Sequence, residues 1–139
     1  MYKISLPCNA LYSFRSLLLA LGNVTTADMV FKVRLADGAD DMEGRVEVHY
    51  NGSWATVCDD KWDIMDATVV CRMLGYPLAS EALRGAAFGR GRGSIILDKV
   101  TCHGNEKSIV VCRHRGLFKH GCNHDQDAGV RCLSKCLIY

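Results

Sequence analysis

Six cysteines lie between positions 58 and 132 of this 139-residue chain. Thiols at that density in a small exported domain usually form disulfides, because a short chain cannot bury enough apolar surface to stay folded unaided. Six cysteines can pair in many ways, and their spacing alone does not choose among the pairings. The pattern predicts a rigid, disulfide-stabilised extracellular domain, which favours a binding module. The six are Cys58, Cys71, Cys102, Cys112, Cys122 and Cys132.

The first 27 residues have the composition of a secretory leader. They contain Lys3 and Arg15 but no acidic residue, then the apolar run 17–21 and the small residues 25–27. This order predicts a signal peptide over residues 1–27. The alternative is a buried N-terminal helix of the domain. The apolar run is much shorter than the roughly 20 residues of a membrane span, and no later segment is long enough, so no membrane span is predicted.

Removal of the leader leaves one domain, residues 28–139, whose charges balance in number but not in position. The leader holds two of the 17 basic residues and none of the 15 acidic ones, so the mature chain has no net charge. Residues 28–66 are mainly acidic and residues 67–124 mainly basic. This asymmetry predicts an acidic pole for a cation and a basic pole for a polyanion. The alternative is that the two halves interleave in space and the poles vanish.

Local patterns predict an α+β fold that is rich in strands. The pair Asn51-Gly52 indicates a hairpin turn, because both residues tolerate a positive φ. A helix is predicted to begin at Asp63 or Asp66 and to end at Gly75. The glycine-rich segment 84–93 reads as a mobile basic loop. Strands are predicted, from alternation or from short apolar runs between turns, at 31–35, 45–50, 54–58, 94–98 and 128–132.

Four distinctive segments are spread over the chain: WATVCDDKWD at 54–63, DATVVCRMLG at 66–75, ILDKVTCHGNE at 96–106 and CNHDQDAGVRC at 122–132. Together they resemble the scavenger receptor cysteine-rich (SRCR) domain over a core of about residues 33–133. The resemblance implies a curved antiparallel β-sheet cradling one main α-helix. It also implies a binding module that is not itself catalytic.

The same resemblance implies how the cysteines pair. One branch of the family has a fourth disulfide, but the two positions that would form it here are Met42 and Tyr76. Because both partners are missing together, the chain resembles the six-cysteine, group A branch. The implied pairs are Cys58–Cys122, Cys71–Cys132 and Cys102–Cys112.

Calcium is the cofactor that the resemblance implies. One site of similar domains uses two adjacent aspartates and a glutamate, here Asp59, Asp60 and Gln126. A second uses the first aspartate, another aspartate and an asparagine, here Asp59, Asp98 and Gly121. Gln126 and Gly121 each replace one oxygen ligand of the pattern, so calcium binding is expected to be weaker than in a typical relative. The alternative is that Asp59 and Asp60 only cap and turn the chain.

Two groups of basic residues are candidates for binding anionic ligands. Clustered guanidinium groups pair with sulfate, phosphate and carboxylate. We therefore expect polyanionic ligands, such as sulfated glycans and bacterial surface polymers, or extracellular proteins. The chain has no base-reading motif, so specific nucleic-acid binding is not expected. The alternative is a merely solvated basic face. The candidates are Arg84, Arg90 and Arg92 in the loop, and Arg113, Arg115 and Lys119 between two cysteines.

Other kinds of chemistry have weaker signals. Histidines near Cys102, Cys112 and Cys122 raise a zinc site as an alternative, but the chain has no CxxC motif. No serine, histidine or aspartate lies in a nucleophile signature, so no enzyme is predicted. Asn51-Gly52-Ser53 is an acceptor sequence for N-glycosylation on an exposed turn.

The sequence therefore predicts a secreted, non-catalytic binding domain that calcium assists. One rival is an ancillary SRCR domain within a larger extracellular enzyme or membrane receptor. Another is an adhesive protein joined through an interchain disulfide of Cys136, which the six-cysteine pairing leaves over.

Overall fold

The computed structural model describes residues 31–134, so the predicted signal peptide 1–27 and Cys136 lie outside the described residues. Within that range no helix has both the length and the apolar character that a bilayer span requires. The elements in chain order are β1 Lys32–Asp37, β2 Glu43–Tyr50, β3 Ser53–Val57, α1 Ile64–Met73, β4 Leu78–Leu83, β5 Ile95–Leu97 and β6 Gly129–Leu133.

The strands form one six-stranded sheet in the order β4-β6-β2-β3-β5, with β1 paired to β2. All pairs are antiparallel except β3 with β5, so the sheet is mixed. The predicted α+β class, a curved sheet with one main helix and disulfides, is confirmed. All five predicted strands are present, but β4 was not predicted. Its sequence LASEAL lacks the β-branched and aromatic residues that favour strands, and pairing with β6 holds it extended.

Local signals account for the turn and the helix boundaries. Asn51 has φ 52° and Gly52 has φ 82°, as a two-residue hairpin turn between β2 and β3 requires. At the start of α1, the Asp63 carboxylate accepts the N–H groups of Met65 and Asp66. The Asp66 carboxylate accepts the Asp63 N–H in return, which completes a capping box. The helix ends at Met73.

The core lies between α1 and the sheet, and α1 packs against β4 and β6. Apolar side chains from β2, β3 and β5 are fully buried there, among them Val46, Val57 and Ile96. Trp62 is also buried, and its indole N–H donates to the carbonyl of Gly129 at 3.0 Å. The paired indole lets a large aromatic ring enter the core without leaving a buried donor unsatisfied.

The three implied disulfides are present: Cys58–Cys122, Cys71–Cys132 and Cys102–Cys112. Cys71–Cys132 joins α1 to β6, and Cys58–Cys122 joins the end of β3 to a segment 64 residues later. Cys102–Cys112 closes a short loop. The resemblance to the six-cysteine SRCR domain is therefore confirmed in its pairing.

The buried capping residue Asp66 predicts an unusual pH dependence of stability. Burial, with a smaller contribution from the nearby Asp63, raises the pKa of Asp66 from 3.8 to about 7. The folded domain therefore keeps a proton that the unfolded chain releases above about pH 4. We expect the contribution of Asp66 to the free energy of unfolding to be largest below pH 4. As the pH rises from about 4 to about 7, this contribution should fall by up to about 1.4 kcal/mol per pH unit.

Urea unfolding of the wild type and an Asp66→Asn variant between pH 4 and pH 8 measures this effect. The difference between the two free energies of unfolding isolates Asp66 from the other carboxylates. We expect the wild type to lose stability relative to the variant across this range. A difference that stays constant with pH would contradict the prediction.

Candidate functional site

Two carboxylates meet at one edge of the sheet beside the Cys58–Cys122 disulfide. Asp60 follows β3 and Asp98 follows β5, and these strands are the parallel pair, so their carboxyl ends lie at the same edge. Carboxylate oxygens of Asp60 and Asp98 lie within 4.8 Å of each other and of the two sulfur atoms. The sulfurs are bonded to each other and so are not thiolate ligands. The carboxylates are the available ligands for a cation.

Asp98 has a buried carboxylate oxygen without a hydrogen-bond partner within residues 31–134. Its side chain is fully buried, and its Oδ1 has no hydrogen-bond partner among the described residues. Its Oδ2 accepts only a long hydrogen bond from Nη1 of Arg115, at 3.4 Å. A buried carboxylate oxygen without a partner is costly, and a hard cation such as Ca²⁺ would satisfy it. The residues present therefore fit calcium.

The other predicted metal ligands divide into two groups. Gln126 lies beside Asp60, and its Nε2 donates to Asp60 Oδ1 at 3.4 Å. Asp59 is next to Gln126 through the backbone, but its buried Oδ2 accepts the N–H of Gly85 at 2.7 Å. Asp60, Asp98 and Gln126 thus converge, while the Asp59 side chain holds the start of the glycine-rich loop. Asp59 also forms the turn into α1, since its carbonyl accepts the Trp62 N–H.

The described residues hold the loop 84–93 by several contacts. Arg84 donates Nε and Nη2 to the carbonyl of Trp62, at 3.1 and 2.9 Å. Arg90 forms an ion pair with Asp125 at 3.2 Å. Gly91 donates its N–H to buried Asp127 at 2.7 Å. Two of the three loop arginines predicted to bind ligand are therefore already engaged within the domain.

Arg90 and Arg92 line a cavity of about 880 Å³ that also borders β1, β2 and β3. We call it the arginine cavity. Its other two arginines are paired: Arg34 lies 2.6 Å from Glu47 and 4.2 Å from the ring centroid of Trp54, and Arg45 contacts Asp37 and Glu47. Its lining residues are Arg34, Ala36, Asp37, Arg45, Glu47, Tyr50, Asn51, Ser53, Trp54, Ala55, Arg90, Arg92, Gly93, Ser94 and Phe118.

Arg113 and Arg115 line a different cavity, of about 380 Å³, which we call the cationic cavity. The structure thus brings the predicted basic residues together in two separate pairs rather than in one cavity. Lys119 is exposed and lines neither cavity, and the exposed Asn51 lies on the hairpin turn, where its glycosylation stays a prediction. The residues of the cationic cavity are Lys61, Lys99, Thr101, Arg113, His114 and Arg115.

Sequence reasoning missed Lys61 and Lys99 as part of a basic site. One signal could have found them: an Asp-Lys pair follows each of two apolar strands, at 60–61 after β3 and at 98–99 after β5. Only the parallel pairing of those strands shows that the two Asp-Lys pairs are neighbours.

Comparison with known proteins gives a consistent result. The profile of the family "Scavenger receptor cysteine-rich domain" matches residues 36–133. Galectin-3-binding protein of Bos taurus is 52% identical over 103 residues, which are 74% of this chain and 19% of that protein. Lysyl oxidase homolog 2 of Homo sapiens is 56% identical over 100 residues, 72% of this chain and 13% of that protein. The chain thus spans about a fifth or less of the length of these relatives.

Solved structures show the same fold. The third SRCR domain of murine neurotrypsin has a TM-score of 0.68 and 48% identity, over 73% of this chain and 95% of that one. The SRCR domain of mouse MARCO, in a dimeric form, has a TM-score of 0.62 and 48% identity, over 73% of this chain and 94% of that one.

Proposed function

The chain belongs to the scavenger receptor cysteine-rich family, and on that basis we propose that it is a secreted, non-catalytic binding module for polyanionic or protein ligands, assisted by calcium. The observation that carries the proposal is the cationic cavity, in which lysines and arginines converge on a surface held by disulfides. Unpaired cations on a rigid surface attract sulfated glycans, bacterial surface polymers and acidic protein segments, because charge-assisted contacts with fixed donors add up.

Calcium would be held by Asp60 and Asp98, with Gln126 beside them. When bound, it would neutralise the two carboxylates and supply the missing partner of the buried Asp98 oxygen. A calcium ion held there would lie close to the cationic cavity, because Asp98 also contacts Arg115 of that cavity. Calcium would therefore support ligand binding by stabilising the sheet edge from which the basic side chains project.

The second candidate is that this domain serves within a larger extracellular enzyme or membrane receptor. The observation in its favour is length, since the chain covers only 13% of lysyl oxidase homolog 2 and 19% of galectin-3-binding protein. Mass spectrometry of the native secreted product tests it, because peptides beyond Tyr139 would show additional domains.

An interchain disulfide of Cys136 remains a proposal, and a dimer on a non-reducing gel would support it.

We expect the chain to bind dextran sulfate but not neutral dextran. Exposed charge pairs are screened over about 8 Å at physiological ionic strength, so the retained fraction should fall steeply as salt rises from low to physiological concentration. Affinity chromatography on the two resins, with and without calcium, measures this. The neutral mature chain makes the test selective, since little retention would come from net charge. Equal retention on both resins, or none on either, would contradict polyanion binding.

A further inference from the structure

Most of the cationic side chains of the cationic cavity have no partner among the described residues. Within residues 31–134, the side chains of Lys61, Lys99 and Arg113 form no hydrogen bond or ion pair. Arg115 donates one N–H group to Asp98 at 3.4 Å, and its side chain is 49% exposed. No carboxylate is among the described residues that line this cavity. Four cations therefore surround this cavity, and within the described residues one of them, Arg115, pairs with a carboxylate.

The arginine cavity provides the contrast. Although it is larger and also has four arginines, Arg34 and Arg45 are paired with Glu47, and Arg90 with Asp125. A ligand there would have to compete with internal carboxylates for three of the four arginines, and the carboxylates of Asp37 and Glu47 line the same cavity. A ligand in the cationic cavity would compete only with water and with the single Asp98 contact. The smaller cavity is consequently the better anion site.

The backbone of the cationic cavity is fixed before any ligand arrives. The N–H of Thr101 donates to the carbonyl of Arg113 at 2.8 Å, and the N–H of Arg115 donates to the carbonyl of Asp98 at 3.3 Å. The Cys102–Cys112 disulfide joins the chain neighbours of Thr101 and Arg113 and so holds this contact in place. Both ring nitrogens of His114 bond to backbone groups, so the ring is a fixed wall of the cavity. Such preorganisation lowers the entropic cost of binding.

We propose that the cationic cavity binds one sulfate or phosphate ester group, with Lys61, Lys99, Arg113 and Arg115 as the donors. The inference rests on the proposed function and names its ligand chemistry. A tetrahedral anion offers oxygens in several directions, which suits ammonium groups and planar guanidinium groups arriving from different sides. The cavity volume of about 380 Å³ is large enough for such a group together with the sugar unit that carries it. A polyanion would therefore place one ester group and its sugar unit in the cavity, with the rest of the polymer outside.

Two charge-matched double variants of the full chain test this proposal. Lys99→Gln with Arg113→Gln removes two positive charges from the cationic cavity, and neither side chain has a partner to lose. Arg90→Gln with Arg92→Gln removes the same charge from the arginine cavity. The probe is a heparin octasaccharide, measured by calorimetry. We expect the first variant to bind at least about tenfold more weakly and the second to stay within about twofold of the wild type.

Small probes identify the source of the ester. Glucose 6-sulfate and glucose 6-phosphate are titrated into labelled protein, and amide shifts of Thr101 and Arg115 are followed by NMR. Saturable shifts support the proposal, and the tighter of the two probes shows whether the natural ligand is a sulfated or a phosphorylated polymer. Equal weakening of both double variants, or no shift with either probe, would overturn the site. If dextran sulfate still binds in that case, the proposed function stands; if it does not, both fall.

Discussion

Replacing Cys71 and Cys132 together by alanine is expected to unfold the domain at physiological temperature. The disulfide closes a loop with a sequence separation of 61 and so restricts the unfolded chain. Its removal would lower the free energy of unfolding by roughly 4 kcal/mol, because the unfolded chain gains conformational entropy. Small domains have a total stability of only about 5–15 kcal/mol, so this loss is a large fraction of it. Both cysteines are also buried and connect α1 to β6, so packing between helix and sheet is lost as well.

The matched control is Cys102→Ala with Cys112→Ala, which opens a loop with a sequence separation of 10. Its chain-entropy contribution is roughly 3 kcal/mol. Both cysteines are buried in the same core, but this disulfide does not join the helix to a strand. Urea unfolding followed by circular dichroism compares the two variants with the wild type. We expect the midpoint to fall further for the long-loop variant. The opposite order, or a long-loop variant as stable as the wild type, would refute this account.

Replacing Asp98 by asparagine is expected to abolish calcium-induced stabilisation while leaving the metal-free domain at least as stable. In the wild type, calcium at a hundred times its dissociation constant should stabilise the fold by about 2.7 kcal/mol. The variant loses the charged ligand. It also loses a buried charge whose Oδ1 has no partner among the described residues, which removes a desolvation cost. Arg115 is about half exposed, so water solvates it when its ion pair is gone.

The converse variant is Gln126→Glu with Gly121→Asn, which restores the two oxygen ligands of the family pattern. A side chain is tolerated at Gly121, because a Cβ there meets no atom within 4 Å. We expect tighter calcium binding but lower stability without metal, since the new carboxylate lies beside Asp60, which now accepts a hydrogen bond from Gln126. Melting temperatures with calcium and with EGTA measure both variants. A calcium shift that survives Asp98→Asn would rule out Asp98 as a ligand.

Local chemistry explains why much of the fold was predictable. The capping pair Asp63 and Asp66 and the turn at Asn51-Gly52 depend on neighbours within a few residues, so a linear pattern contains the information. The cysteine pairing followed from motifs that resemble a known family, because spacing alone left many connectivities open. Strand β4 was missed since its residues have little intrinsic preference for extended structure and are held by β6.

The sequence by itself determined the class of the domain, its disulfides, its helix and the residue types that its binding chemistry would use. Only the tertiary structure decided which of those residues act together. Parallel pairing of β3 and β5 places Asp60 beside Asp98, and the cavity at the same end of these strands joins Lys61 and Lys99 to Arg113 and Arg115. Contacts within the domain occupy two of the arginines that looked most available in the linear sequence, because Arg84 donates to the Trp62 carbonyl and Arg90 pairs with Asp125. The physical reason is that charge acts through space: a side chain's partners depend on strand pairing and burial, which residues far apart in the chain create together.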